Sequence, residues 1–341
     1  MSSDIPLLCP ECRHPLSRKG NGISCDACRG SFPLDDDIPI LLPLSLGQFK
    51  ERESAYHAAL SEEFEDIHNL DAGRVARFKE EYHRYLGALE PGSVILELGC
   101  GTGWDTARLA ARGMAVYLSD ISPGMVRKAR ERVRTSGAAE GAVSFFVFDA
   151  EAIPFPSDNF DAVFITAALH HLPSPERSVA EMRRVCRPGG VVVLGFEPNS
   201  WPYYTLFPAR RFVSVLVKAA ALFIRSPREA LRKAKTVRRA KGVLIETRGS
   251  DAELYSPGDR EASGFSRRRI ARILKGAGLE PVSVSRVWYL NGFIQEFSLL
   301  RKFRSPSPRV EAFLIGLDRL LARIPVVRMA NWHWNVIAKK P

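Results

Sequence analysis

The chain has 341 residues, and at roughly 150 residues per domain that length suggests about two domains. With 45% hydrophobic and 26% charged residues, it can build a core of ordinary size and falls outside the disordered and collagenous classes. The net charge of +11 is uneven: Tyr203 to Arg248 holds twelve Lys and Arg against two acids, a local net of +10. A local basic excess of this kind points to an anionic partner, either nucleic acid or a lipid surface. Met1 to Leu8 shows no basic region leading into a long apolar run. The longest nearly apolar stretch, Phe212 to Ile224, is 13 residues and is interrupted by Lys218, short of the about 20 that a spanning helix needs. A cytoplasmic location is expected, peripheral to the inner face of the membrane.

Four of the six cysteines fall near the start, as Cys9-Pro-Glu-Cys12 and Cys25-Asp-Ala-Cys28, with twelve residues between the pairs. Each C-x2-C turn offers two sulfurs from one tight loop, and two such turns complete the tetrahedron that zinc prefers. Disulfides fit poorly with a chain that shows no secretory signal. A structural zinc ion on Cys9, Cys12, Cys25 and Cys28 is therefore expected. The segment continues through Phe32-Pro-Leu34, three aspartates and Ile38-Pro-Ile-Leu-Leu-Pro43. These forty or so residues resemble the small zinc-ribbon family that activates tRNA and protein methyltransferases, and a protein partner through the ribbon is the corresponding expectation. Cys100 and Cys186 read as isolated reduced thiols.

Residues 44 to 89 read as two polar-rich helices, broken near Asn69-Leu70-Asp71. Val94 to Leu98 is then a short apolar run followed by Gly99-Cys-Gly-Thr-Gly103, and Asp105 to Arg112 has helical composition. Strand, glycine turn and helix open a nucleotide-binding α/β unit, whose glycines let the backbone approach a ligand closely. The next strand, Ala115 to Ser119, closes on Asp120, where a carboxylate can accept both ribose hydroxyls. A third strand, Val143 to Phe148, ends at Asp149-Ala150, where an acid can bond an adenine amino group. Asp is common in such turns for purely structural reasons; the glycine turn and the two acids, in order at three strand ends, carry the argument.

These motifs resemble the class I S-adenosylmethionine-dependent methyltransferases. The matching text is Val94 to Gly103, Asp120-Ile-Ser-Pro-Gly-Met125, Ala152-Ile-Pro-Phe-Pro156, Phe160-Asp-Ala-Val163, His170-His-Leu172 and Arg187-Pro-Gly-Gly190. The closest likeness is to the small-molecule branch that includes the ubiquinone and menaquinone biosynthesis methyltransferases, and it covers about residues 71 to 199. The resemblance implies an α/β Rossmann-like sheet with helices on both faces. It also implies that Gly99, Gly101 and Gly103 pass under the methionine part of the cofactor. Glu97 would lie near its amino end, Asp120 on the ribose with Ile121 and Met125 beside it, and Asp149 with Ala150 at the adenine. A dehydrogenase with the same glycine loop is the rival, and the motifs beyond the loop disfavour it.

Methyl transfer from a sulfonium is an in-line displacement in which the protein mainly aligns the acceptor and excludes water. A hydroxyl acceptor also needs a base within hydrogen-bonding reach. His170 and His171 after the fourth strand, and Glu197 after the fifth (Val191 to Phe196), fall at the carboxyl edge where open α/β sheets bind ligands. His170 and Glu197 are the candidate catalytic residues; His171 is read as packing structurally. The stretch Thr166-Ala-Ala-Leu169 replaces the Asp/Asn-Pro-Pro-aromatic turn of enzymes that methylate exocyclic amines, which argues against that chemistry.

Between the fifth and sixth strands (the sixth being Pro281 to Tyr289) comes the aromatic Trp201 to Phe207. An amphipathic run with Arg211, Ser214, Lys218 and Arg225 on one stripe follows it. Ser226-Pro-Arg-Glu229 then caps a second, strongly basic helix ending at Gly242. Basic amphipathic helices with aromatics can lie in the headgroup layer of an anionic membrane; a lid packed on the core is the plainer reading. A further stripe, Val310 to Leu321, precedes a last strand over Asn335 to Ala338.

The expected organisation is a zinc ribbon over 1–43, a helical linker or cap over 44–90, a methyltransferase domain over 91–200 and 249–341, and a basic helical insertion over 201–248. The leading expectation is methylation of a hydrophobic or lipid-linked acceptor, on oxygen, at the cytoplasmic membrane face. An RNA methyltransferase is the enzymatic alternative, since zinc ribbons also precede the catalytic domain in a family of ribosomal RNA guanine methyltransferases and the charge suits a phosphate backbone. A non-catalytic scaffold is the third.

Overall fold

The computed structural model describes residues 5–20, 22–65, 86, 88–139, 141–201, 264–287 and 331–341, with isolated positions between 313 and 324. The expected break near Asn69-Leu70-Asp71, the basic insertion over 201–248 apart from Trp201, and most of the Val310 to Leu321 stripe lie outside the described residues. Among the described residues no helix is long and apolar enough to cross a membrane.

The first strands form a meander: β1 (Leu16–Lys19), β2 (Gly22–Cys25), β3 (Ser31–Asp35) and β4 (Ile38–Leu41), paired antiparallel in succession. The three aspartates make the last turn. Asp36 and Asp37 both have positive φ, 47° and 66°, as a two-residue hairpin loop matched to strand twist requires. β4 then runs parallel to β7 (Val143–Phe148), with Ile40 opposite Val147 and Leu41 opposite Phe148. The ribbon is thereby continuous with the main sheet.

That sheet also contains β5 (Val94–Leu98), β6 (Ala115–Asp120), β8 (Phe160–Thr166), β9 (Cys186–Pro198), β10 (Glu280–Val287) and β11 (His333–Lys339). The full order is β1-β2-β3-β4-β7-β6-β5-β8-β9-β11-β10. β4 to β9 are parallel in the core region, and β11 enters antiparallel between β9 and β10. Central parallel strands are covered on both faces, which is why Val94–Leu98 and Phe160–Thr166 are almost uninterrupted apolar runs with their side chains buried.

Among the described residues, five α-helices flank the strands: α1 (Gln48–Leu60), α2 (Trp104–Ala110), α3 (Pro123–Arg134), α4 (Pro175–Val185) and α5 (Arg267–Ala277). Ser122 caps α3 by accepting the Met125 N–H at 3.4 Å, with Pro123 in the first turn. α5 has matching punctuation: Ser266 accepts the Arg269 N–H at 3.1 Å, and left-handed Gly278 ends the helix. Its buried residues Ile270, Ile273 and Leu274 follow helical spacing, a signal that the motif-led sequence reading passed over.

β9 is longer than the apolar run Val191 to Phe196. It starts at Cys186, because Phe160 pairs with Cys186 before the register shifts to Ala162 opposite Val191, with Gly189 at φ 75° inside the bulge. The core crosses the ribbon boundary: Cys9, Phe32 and Leu41 belong to the same buried cluster as Phe146, Phe148 and Phe155. Burial of one such phenylalanine contributes about 1.5–3 kcal/mol. Polar ties run alongside. Arg13 donates to the Ile153 carbonyl at 2.6 Å and pairs with Glu181 at 2.7 Å, and the Leu8 N–H reaches the Pro154 carbonyl at 2.9 Å.

Candidate active site

The carboxyl ends of β5, β6, β7, β8 and β9 converge on one edge of the sheet, where the sequence places its motifs. Gly101 has φ 51°, and a Cβ built there would meet nothing within 4 Å; the loop presents bare backbone to open space. Gly103 has φ 77°, and its Cβ would lie 2.7 Å from the Ala129 Cβ and 2.9 Å from the Ala129 Cα. Glycine at 103 thus lets the loop and the start of α2 pack against α3. Overpacking costs about 1–3 kcal/mol and a left-handed side chain about 1–2 kcal/mol more. Gly103→Ala is expected to lower the thermal midpoint by about 5 °C or more, as read by differential scanning fluorimetry. An unchanged midpoint would mean that α2 and α3 are not held this closely.

Asp120 ties the glycine loop to the next strand end. One oxygen accepts the Gly101 N–H at 3.0 Å and the other the Ser122 N–H at 2.9 Å. Burial pushes its carboxyl above the usual range, with the charge of His57 and these two backbone donors pulling the other way. A carboxylate has about four acceptor positions, so capacity remains for two further donors. Glu97 is buried and accepts the Thr106 hydroxyl. Met125 is buried within the first turn of α3, and Ile121 lies just after Asp120, where its carbonyl accepts the Ser54 hydroxyl at 2.8 Å.

Asp149 has a partner that sequence reasoning missed. Lys50, on α1, reaches its Oδ2 at 2.6 Å and Glu151 at 2.8 Å, while the Glu151 N–H occupies Oδ1 at 2.9 Å. Ala150, between the two acids, packs against the main core. α1 therefore lies over the ends of β6 and β7, close enough that a Cβ on Gly124 would sit 2.9 Å from the Ala58 Cα. The missed signal is legible in retrospect. Lys50, Glu53, Ser54 and His57 recur at i, i+3, i+4 and i+7, which puts them on one helix face, and in this helix the polar face turns inward.

On the other side of the edge, β8 ends in a single 3-10 turn over Leu169–His171. The Glu197 carboxylate receives four donors: the Ala168 and Leu169 N–H groups on Oε1 at 3.1 and 3.0 Å, and the His170 N–H at 3.1 Å on Oε2, which also lies 2.9 Å from the His170 Nδ1. Ala167 and Phe196, at the ends of the same two strands, both have positive φ, 50° and 58°. Non-glycine residues in that region cost about 1–3 kcal/mol each and cluster at functional sites. Burial, then the neighbouring His170, hold the His333 imidazole down at about 3, so it is neutral where it stacks on Phe196.

Glu53, His57 and His171 form a separate group beside His170. His57 Nε2 is 3.2 Å from one Glu53 oxygen and His171 Nδ1 is 3.7 Å from the other. Burial raises the Glu53 carboxyl, but hydrogen bonds from His171 and His57 outweigh it and bring it to about 2. The His170 and His171 rings are 4.2 Å apart.

In the ribbon, all six cysteines of the chain being free, Cys9 and Cys28 sulfurs are 3.5 Å apart and Cys12 and Cys25 sulfurs 3.4 Å. Four sulfurs about 2.3 Å from one zinc ion would stand about 3.8 Å apart. Backbone N–H groups of Glu11 and Cys12 point at the Cys9 sulfur, and those of Ala27 and Cys28 at the Cys25 sulfur. Arg13 and Arg29, each just after a pair, take positive φ of 64° and 61°. The cluster is compatible with a zinc ribbon.

Residues 96–194 match the family model described as a methyltransferase domain. This segment is a methyltransferase domain. Among curated relatives, the chain is 34% identical over 161 residues to the ubiquinone/menaquinone biosynthesis C-methyltransferase UbiE of Ralstonia nicotianae, covering 44% of this chain and 64% of that one. It is 40% identical over 103 residues to the demethylmenaquinone methyltransferase of Clavibacter sepedonicus, covering 30% and 40%. The chain thus spans less than two thirds of the length of these relatives. Among solved structures, the [4+2]-cyclase SpnF matches with a TM-score of 0.51 at 18% identity, over 86% of this chain and 96% of that one. At that identity the likeness shows the methyltransferase domain's fold, not its chemistry.

Proposed function

We propose that this protein is an S-adenosylmethionine-dependent methyltransferase whose acceptor is a hydrophobic or lipid-linked molecule methylated on oxygen at the cytoplasmic membrane face. The observation that carries this reading is the convergence, on one sheet edge of a methyltransferase domain, of an open glycine loop, a strand-end carboxylate with spare acceptor capacity, and a carboxylate-held histidine. The residues fit the cofactor. The loop from Gly99 to Gly103 would lie under its methionine part, with the open backbone of Gly101 nearest and Gly99 and Gly103 holding the loop close against Ala168 and Ala129; Glu97 would face the amino end, and Asp120 would take the ribose hydroxyls between Ile121 and Met125. Asp149 and Ala150 would meet the adenine, whose amino group has to share the Asp149 carboxylate with Lys50. Bound there, S-adenosylmethionine supplies an already activated methyl group.

Glu197 fixes the tautomer of His170: Nδ1 keeps its proton and donates it to the carboxylate, which leaves Nε2 as the basic nitrogen. His170 is then the base that takes the acceptor's hydroxyl proton, and Glu197 is a positioning residue. Transfer to a ring carbon conjugated with that hydroxyl starts with the same proton removal, and the C-methyltransferase name of the Ralstonia relative favours it as the second reading. In the ribbon, Cys9, Cys12, Cys25 and Cys28 would hold a structural zinc ion, and the ribbon is the surface offered to a protein partner.

Binding of S-adenosylmethionine, followed by calorimetry, is expected to weaken by about 100-fold in Asp120→Ala, since two hydrogen bonds to a charged group contribute about 1.5–3 kcal/mol each. Wild-type protein that does not bind it would leave the scaffold reading. The acceptor class is tested by titrating the protein with anionic liposomes and with total RNA at several salt concentrations. The basic segment from Tyr203 to Arg248 supports liposome binding; RNA binding that falls steeply with salt, without liposome binding, would replace the lipid acceptor with RNA.

A further inference from the structure

We propose that Glu53, His57 and His171 form a second metal site, distinct from the cysteine ribbon, that takes one divalent first-row transition-metal ion. Glu53 and His57 stand one turn apart on the inward face of α1, and His171 is brought opposite them by the 3-10 turn that follows β8. One ligand atom from each lies within 4.8 Å of the others. The carboxylate is central: Oε2 faces His57 Nε2 at 3.2 Å and Oε1 faces His171 Nδ1 at 3.7 Å. Nitrogen and oxygen ligands about 2.1 Å from one ion stand roughly 3.0–3.4 Å apart for octahedral to tetrahedral angles. The first pair already meets that spacing, and the second needs to close by only a few tenths of an ångström.

The donor set states the class of ion. Two imidazoles with one carboxylate suit zinc, iron(II), cobalt or nickel, whereas magnesium and calcium prefer oxygen throughout. Three protein ligands leave coordination positions open, as sites that bind a further ligand do. The location gives those positions a use, because His171 lies ring against ring with His170 at 4.2 Å. Glu53 is 4% exposed, and a carboxylate placed that deep needs either donors or a cation around it. The polar ligands are also pre-positioned by their neighbours. Tyr56 is buried on α1, its ring packed edge-on against His57 at 5.2 Å, and the Ser54 hydroxyl fixes the same helix to the end of β6.

The test is metal stoichiometry in the full chain, read without any methyl acceptor. Protein equilibrated with cobalt(II) under reducing conditions is expected to bind two equivalents by elemental analysis. The first brings the intense thiolate-to-cobalt absorption of a four-sulfur site, and the second adds only weak bands of nitrogen and oxygen ligation. In Glu53→Gln and, separately, His57→Gln, affinity for the second equivalent is expected to fall by about 100-fold or more, with the thiolate absorption and the thermal midpoint kept. If Glu53→Gln does not fold, His171→Gln takes its place. One equivalent in the wild-type chain at millimolar cobalt, or a second equivalent retained in either variant, overturns the site and leaves a hydrogen-bonded triad.

Discussion

His170→Ala is expected to lower turnover by about 10²–10⁴-fold while S-adenosylmethionine affinity and the thermal midpoint stay close to wild type. The His170 ring faces the Glu197 carboxylate, and its removal leaves that carboxylate with three backbone donors. The pH profile separates a base from a packing residue. The variant should lose the pH dependence that the wild-type base imparts; a variant that keeps both rate and profile would move the base elsewhere. Glu197→Gln is a harsher change than its shape suggests. An amide has one acceptor oxygen, so two of the four donors would face an NH₂ group, at about 1–3 kcal/mol for each buried group left unpaired. That variant should lose stability as well as rate.

Stripping the ribbon of metal is expected to have the larger effect on the fold. Zinc on thiolates contributes apparent binding energies of about 10–16 kcal/mol to ribbon-sized units, and the ribbon strands, of four or five residues each, are too short to be stable by themselves. Chelator-treated protein should become cleavable within its first 43 residues. The damage should also reach the methyltransferase domain, because β4 pairs with β7 and Phe32 shares its cluster with Phe148 and Phe155. Since Asp149 directly follows β7, cofactor affinity should fall with the midpoint. Limited proteolysis and fluorimetry with and without chelator check this; an unchanged midpoint would mean that apolar contacts alone hold the ribbon.

The parallel strands and the glycine turn were legible because their chemistry is local. A buried strand is a continuous apolar run, and the left-handed turn after β5 demands glycine. The four-cysteine ribbon was legible for the same reason. α1 was legible as a polar-rich helix, but its inward face was not, since a polar stripe on a helix ordinarily faces water, and nothing within residues 48–60 says that Asp149, Ile121 and His171 wait on the other side. Nor does periodicity tell which edge a strand joins. Ile38 to Leu41 reads as a strand, but its pairing with Val147 and Phe148 depends on a surface built from distant sequence. Glu197 was visible as an acid at a strand end; that it collects the donors of a whole turn follows only from the left-handed bends at Ala167 and Phe196.

The placement of β11 has a consequence for the order of assembly. Among the described residues β10 joins the sheet through β11 alone, which is inserted between it and β9. β10 therefore has no strand neighbour until a later segment of the chain arrives, and every hydrogen bond that β10 makes to β11 is a late event. Long-range pairings of this sort slow folding, because loop closure must precede any contact that rewards it. The β4 to β7 pairing imposes a similar delay at the opposite edge. The parallel centre can consolidate early, while both margins of the sheet close last.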